Sequence, residues 1–317
     1  MFVGHGTLAF AAVGLLALAR GTDRDRALAL ATAAGLFATV PDVDMIYALS
    51  GLVGGSLAHP VSLASSFWAA STVVHRSVTH SVILAVPATV AFALAGRSVV
   101  GSGVAVVVGA VVVAVAAVET GPVGALVAVA FVVAGVAVGT GAARYDLGVR
   151  ATATAALVGL VSHPFGDVLT GQPPHLLYPL DASILHGRIA LAADPTLHLL
   201  GAFAVEMAAI WIGLLTYASL REMRLRDHVR PRATAGAAYA IAIAVLPPPT
   251  LGASYPFVFS VLGVGLVGAV PIGRRRPEAV TAVVTGLAGV TVAWFAYTVA
   301  YLTVGVAPAL PPVGEVF

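Results

Sequence analysis

Two long uncharged apolar segments constrain this chain more than any other feature. Residues 98–118 and 122–143 contain no charged side chain. Each is about as long as the roughly 20 residues that an α-helix needs to cross the hydrocarbon core of a bilayer. Hydrophobic residues make up 59% of the 317-residue chain and charged residues only 9%, which is too apolar for a soluble domain of this size. The sequence therefore predicts an all-α, multi-pass membrane protein.

The hydropathy pattern predicts a transmembrane helical bundle with about ten spans. Proline-rich or charged turns separate the later segments, and Thr22 is a candidate N-cap for the second span. The predicted spans cover residues 3–19, 23–40, 79–96, 98–118, 122–143, 151–171, 199–220, 233–249, 251–271 and 279–306.

The distribution of positive charge predicts the orientation in the membrane. All 16 basic residues are arginines. With the N-terminus outside the cell membrane, 14 of the 16 fall in cytoplasmic loops, and only Arg76 and Arg188 fall outside. Because positive loops stay cytoplasmic, both termini are expected on the extracytoplasmic side. The basic inner face is expected to contact anionic membrane lipid and not nucleic acid.

Histidine shows the opposite distribution. Of the nine histidines only His228 falls in an inner loop. Metal-ligating side chains from distant parts of the chain are thus expected at the extracytoplasmic end. Since cysteine is absent, any metal site there uses nitrogen and oxygen ligands. The outer set comprises His5, His59, His75, His80, His163, His175, His186 and His198, with Asp42, Asp44, Asp167, Asp181 and Asp194.

The segment PDVD places two carboxylates at the end of the second span. Pro41 disfavours helical geometry at the preceding residue. If the chain is extended there, Asp42 and Asp44 point in the same direction. Two such carboxylates repel each other unless a cation lies between them or one is protonated. The alternative is an ordinary capping turn between helices.

The segment HRSVTH places two histidines at the start of the third span. With Thr79 as the helix N-cap, His75 lies in the loop and His80 in the first turn, so that both can face one point. Interfacial anchoring is the alternative interpretation. Arg76 between them either binds a phosphate or carboxylate group or extends toward lipid headgroups.

The segment SHPFGD gives the clearest signal. His163 and Asp167 are spaced i, i+4 inside a predicted span, where ionisable residues indicate function. A hydrogen-bonded pair between helices is the alternative, and Pro164 is expected to kink the helix or to follow a restart at Ser162. Glu206, inside the seventh span, is open to three roles: ligand, supporting partner or proton-carrying group.

Together these motifs resemble the YdjM-like family of predicted inner-membrane metal-dependent hydrolases. The pattern comprises an early histidine, PDVD, HRSVTHS and HPFGD, and it covers residues 1 to about 200. The family is distantly similar to zinc-dependent phospholipases C and related nucleases, whose amino-terminal tryptophan and late His-x-x-x-Glu are absent here. The resemblance implies that seven side chains are metal ligands: His5, Asp42, Asp44, His75, His80, His163 and Asp167.

The resemblance implies a membrane-bound hydrolase that acts on a small-molecule or lipid phosphoester through a metal-activated water. The ligand types favour one or two Zn²⁺ ions, with Mn²⁺ or Fe²⁺ as alternatives. Asp44 is the expected general base, and Arg76 is expected to hold the anionic group. A metal or proton transporter and a structural membrane module with a metal site are the competing functions.

Two further expectations concern organisation. Residues 1–198 are expected to form the hydrolase-like membrane domain, and residues 199–317 a C-terminal four-helix membrane scaffold. The second predicted span is short for a bilayer, so the site is expected in a recess at the outer interface that opens toward lipid.

Overall fold

The computed structural model describes residues 3–53, 60–71, 76, 78–170, 173–180, 182–271 and 277–304. Within these ranges the regular secondary structure is helical, which confirms the all-α class. The α-helices are α1 (Gly4–Ala19), α2 (Arg24–Thr39), α3 (Pro60–Ser71), α4 (Val82–Leu94), α5 (Val99–Arg144), α6 (Val149–Gly166), α7 (Pro195–Leu220), α8 (Tyr255–Val264) and α9 (Ala279–Val304). Segments of 3-10 helix cover Pro41–Leu52, Val78–His80, Asp167–Leu169, Leu225–His228, Pro231–Ala244, Leu251–Ala253 and Gly265–Ala269.

In the described residues, three helices are long and apolar enough to cross a membrane, namely α5, α7 and α9. A fourth candidate arises if α2 and the 3-10 segment Pro41–Leu52, which meet at a 45° bend, form one broken span. Shorter apolar helices include α1 and α4. A helical protein with several candidate membrane spans is therefore confirmed, whereas the count of ten spans stays a prediction.

Several predicted helix boundaries are wrong. The N-cap of α2 is Asp23 and not Thr22, since its Oδ1 accepts a hydrogen bond from the Arg26 amide at 2.9 Å. The N-cap of α4 is Ser81 and not Thr79, because the Ser81 hydroxyl accepts from the Leu84 amide at 3.1 Å. Helix α3 lies where no span was predicted, and its 12 residues are too few for a simple crossing.

Helix α5 consists of two arms that join at Gly121. This glycine has φ 72° and ψ −165°, a conformation that side chains rarely allow, and Pro122 follows it. The arms fold back on each other, since a Cβ atom on Gly109 would lie 2.6 Å from Cγ1 of Val132. The separation of the two predicted apolar segments at this point is therefore correct.

The chain forms two compact units. The first contains Met1–Ala190 and Ala204–Met223, and the second contains Leu191–Phe203 and Arg224–Phe317. Within the first unit, α6 packs against α1, α2 and α4. Within the second unit, α9 packs against α8 and three 3-10 segments, and the Trp294 indole donates to the Leu200 carbonyl at 3.0 Å. These units are defined by packing alone. The predicted division of function, with a hydrolase-like domain up to residue 198 and a scaffold after it, stays a prediction.

A glycine permits the closest contact between α6 and α2. A Cβ atom on Gly159 would lie 2.7 Å from both the Ala34 carbonyl oxygen and the Ala38 amide nitrogen. Replacement by alanine must therefore separate the two helices, and His163 lies one turn further along α6. We expect Gly159→Ala to cost about 1–3 kcal/mol of stability through overpacking.

Thermal unfolding in detergent checks this expectation, with Gly103→Ala as the matched control. A Cβ atom on Gly103 meets nothing within 4 Å, and alanine favours the helix. Equal melting temperatures for the two variants would contradict the packing argument.

Candidate metal centre

The structure brings the predicted ligands that it describes to one end of the first unit. His75 lies outside the described residues. The others come from the start of α1, the 3-10 segment after α2, the 3-10 turn before α4, and the end of α6. Most are almost completely buried: His5 is 3% exposed, Asp167 2%, and Asp44, His80 and His163 0%.

Asp167 links histidines from two different helices. Its Oδ1 lies 3.2 Å from His5 Nε2, and its Oδ2 lies 3.1 Å from His80 Nε2. The i, i+4 pair predicted from sequence is also close, with 3.9 Å between His163 Nε2 and Asp167 Oδ2. One carboxylate therefore contacts all three described histidines of the cluster.

His163 occupies the middle of the cluster. Its Nε2 lies 3.0 Å from His80 Nε2 and 3.4 Å from Asp42 Oδ1. Its ring centroid is 4.0 Å from that of His5. Helix α6 continues through Pro164 to Gly166, which excludes the alternative of a restart at Ser162.

Two overlapping groups have the geometry of a metal site. His5, His163 and Asp167 form one, and Asp42, His80 and His163 form the other; in each, the ligand atoms lie within 4.8 Å of one another. Two ligands bound to one zinc ion at about 2.0–2.2 Å cannot be more than roughly 4.4 Å apart. The cluster therefore needs only small adjustments to close around an ion, and His163 belongs to both groups.

The hydrogen bonds around His80 assign its tautomer. The Thr79 hydroxyl donates its single proton to Asp44 Oδ2, 3.1 Å away, because a carboxylate can only accept. The Thr79 oxygen must then accept from His80 Nδ1, which is 2.9 Å away. In neutral His80 the proton is therefore on Nδ1, and the lone pair of Nε2 points into the cluster.

The same reasoning applies to His163. Its Nδ1 is 2.6 Å from the Ala38 carbonyl oxygen, which can only accept, so Nδ1 carries the proton. When both rings are neutral, two Nε2 lone pairs face each other at 3.0 Å, with the carboxylates of Asp42 and Asp167 beside them. Acceptors that converge in this way repel unless a cation lies between them, so the donor set fits a divalent metal.

The two carboxylates of PDVD point in different directions. The alternative of an extended segment is excluded, since Pro41–Leu52 is a 3-10 helix. The predicted loss of helical geometry before Pro41 is wrong, because Val40 keeps helical angles of −60° and −39°. With three residues per turn, side chains two positions apart diverge. Asp42 faces His163, whereas Asp44 lies behind His80, with 3.6 Å between Asp44 Oδ2 and His80 Nδ1.

Arg76 contacts the protein's own acceptors. Its guanidinium lies 3.4 Å from Asp167 Oδ1 and also donates to the backbone carbonyl of Thr170. Its backbone amide donates to Asp44 Oδ2 at 3.3 Å. These contacts suit a residue that orients two acids of the cluster, and its predicted binding of a substrate anion stays a prediction.

The structure also reveals supporting groups that the sequence motifs did not single out. Thr79 and the Ala38 carbonyl orient two histidines, and the side chain of Thr170 lies 3.2 Å from Arg76 Nη2. In the sequence, the only indication of such a role is the position of Thr79 directly before His80. The prediction of Thr79 as a helix N-cap gave its hydroxyl a different function. His59 and Asp181 lie outside the described residues.

Three histidines that were also predicted at the outer end do not belong to the two groups that could hold a metal ion. His175 and His186 are exposed. His198 belongs to the second unit, where its Nδ1 accepts from the Leu191 amide at 3.1 Å. Asp194, also in that unit, accepts from the Leu197 amide at 2.8 Å, which is an ordinary helix cap.

We expect Thr79→Val to weaken metal binding by about 10–100-fold, as is usual when a ligand loses its hydrogen-bonded partner. Valine keeps the shape of threonine but leaves the His80 ring without its oxygen acceptor. Chelator competition on purified protein measures this change. Thr89→Val is the matched control, since Thr89 is equally buried and, in the part of the chain described here, its hydroxyl has no hydrogen-bond partner. Equal affinities in both variants would refute the tautomer assignment.

Comparison with known proteins agrees with the motifs. Neither the characterised proteins nor the solved structures give a match to this chain. The family described as YdjM inner membrane protein matches residues 1–247, which extends beyond the roughly 200 residues that carry the motifs. That region is more than half of the chain and contains every residue of the cluster, so the protein belongs to the YdjM inner membrane protein family.

Proposed function

We propose that this protein is a membrane-bound, metal-dependent hydrolase that acts on a phosphoester, with a lipid phosphoester as the preferred class. One observation carries the proposal: the Nε2 atoms of His5, His80 and His163 and carboxylate oxygens of Asp42 and Asp167 converge in a buried cluster, which has a partly exposed edge at Asp42. A purely structural metal site would be expected to be closed on all sides.

The cluster offers ligands for one or two ions. We propose that His5, His163 and Asp167 hold one ion, and that Asp42, His80 and His163 hold the other. Ligands of this type suit Zn²⁺, with Mn²⁺ or Fe²⁺ as alternatives. When bound, the metal supplies Lewis acidity that polarises the ester and activates a water molecule for attack.

The chain's own residues would divide the remaining tasks. Asp42 is 21% exposed at its side chain, whereas His163 beside it is 0% exposed. Water and substrate would therefore reach the cluster at Asp42, and an oxygen of this carboxylate is better placed to accept a proton than Asp44. Asp44 is fully buried and would orient His80 by way of Thr79. Arg76 would steady Asp167, and binding of the substrate anion by Arg76 remains part of the proposal.

The membrane setting favours a lipid substrate. Helix α1 has 16 residues, or about 24 Å at 1.5 Å per residue, which is less than the roughly 30 Å hydrocarbon core. With His5 at its outer end, the cluster would lie near the outer headgroups, where the phosphoester of a lipid is found. The arginine distribution supports an extracytoplasmic site. The short helices would complete the ten spans, and residues 199–317 would form the scaffold.

Metal analysis followed by a substrate screen tests the proposal. Full-length protein in lipid nanodiscs would be loaded with Zn²⁺ and offered phosphoesters with long and short acyl chains, together with carboxylic esters. We expect hydrolysis of the long-chain phosphoesters, and a loss of about 100-fold or more in Asp42→Asn. Metal binding without hydrolysis, combined with metal transport in sealed vesicles, would instead support the transporter.

A further inference from the structure

Helix α1 begins without a cap from its own sequence. Its N-cap residue, Val3, provides no side-chain hydrogen bond, although the first amides of a helix need acceptors. Glu206 of α7, more than 200 positions away in the chain, provides the acceptor. Its Oε1 accepts from the Val3 amide at 2.9 Å and from the Gly4 amide at 2.8 Å. A negative charge at this point also interacts favourably with the helix dipole.

The capped turn carries a residue of the candidate metal centre. Gly4 directly precedes His5, which is 3% exposed and lies 3.2 Å from Asp167. A displacement of this backbone therefore moves the His5 ring within a closely packed cluster. Glu206 thus influences the position of His5 Nε2, although it belongs to neither of the two groups of described residues that could hold an ion.

Helix α7 is packed closely against α1 along the same face. A Cβ atom on Gly213, two turns after Glu206, would lie 2.6 Å from Thr7 Cβ. Further along, the side chains of Thr216 and Leu220 lie next to Gly14. These contacts fix the position of α7 along the axis of α1, and they therefore hold Glu206 beside the first turn of α1. The family match also includes this part of α7.

We propose that Glu206 is a positioning residue that holds His5 in the metal centre by capping α1. This inference depends on the proposed metal centre but not on its hydrolytic activity. It selects the supporting role among the three that the sequence left open for Glu206. It also makes residues 204–223 part of the working site and not merely scaffold.

Two substitutions separate positioning from general stability. Glu206→Leu removes the acceptor, whereas Glu206→Gln keeps an oxygen that can accept from both amides. We expect Glu206→Leu to weaken the ion held by His5, His163 and Asp167 by about 10-fold or more, while the ion held with Asp42 and His80 is retained. Glu206→Gln should restore most of the lost affinity. Glu278→Leu, at an exposed acid of the second unit, is the control.

Zinc stoichiometry and chelator competition on full-length protein in detergent provide the readout, in parallel with thermal unfolding. In a His5→Ala background, Glu206→Leu should cause no further loss of affinity, since the two residues act on the same ion. Additive losses, or an equal loss of both ions, would overturn the inference. Wild-type protein without any bound metal would overturn both this inference and the proposed function. Retained metal without hydrolysis would count only against the proposed function.

Discussion

His163→Asn is expected to remove nearly all bound metal from the protein. His163 belongs to both candidate groups, and its Nε2 lies 3.0 Å from His80 and 3.4 Å from Asp42. The shorter asparagine can still contact the Ala38 carbonyl but cannot reach the middle of the cluster. The loss should exceed the roughly 10–100-fold that removal of a supporting partner causes.

Elemental analysis of purified protein measures this effect. His186→Asn is the control, since His186 is exposed and lies outside the cluster. We expect the control to keep its full metal content. If His163→Asn retains the wild-type amount of metal, the ion is not held by this cluster, and the proposed site must be abandoned.

Asp167→Asn is expected to reduce both metal binding and stability. The carboxylate contacts His5 and His80 through separate oxygens and pairs with Arg76, whose side chain is only 11% exposed. Asparagine keeps the shape but removes the charge and one acceptor. Breaking a buried ion pair on one side costs about 3–5 kcal/mol, so the melting temperature should fall even before metal is added.

Thermal unfolding with and without added Zn²⁺ distinguishes the two effects. Wild-type protein should be stabilised by Zn²⁺, because a ligand that binds only the folded state raises its stability. Asp167→Asn should unfold at a lower temperature and respond little to the ion. Asp25→Asn, in the exposed first turn of α2, should behave like wild type. A normal zinc response in Asp167→Asn would exclude Asp167 as a ligand.

Much of this protein can be predicted from its sequence, because the relevant properties are local. Uncharged runs such as 122–143 indicate membrane helices whatever their neighbours are, since burial of apolar side chains in lipid depends on composition and length. Histidines and aspartates in an otherwise apolar chain are costly and therefore mark a site. This cost points to the outer histidines and aspartates as a group, and the narrower ligand set follows from the resemblance of their motifs to a known family.

The tertiary structure decided what each of these residues does. Asp42 and Asp44 were expected to act together, but a 3-10 turn sends one to the middle of the cluster and the other behind His80. Only the contacts place the hydroxyl of Thr79 beside His80 and the carboxylate of Glu206 at the first amides of α1. Such roles depend on distances between residues as far apart in the chain as Gly4 and Glu206. Hydropathy and local spacing contain no information about those distances, because they result from the packing of whole helices against one another.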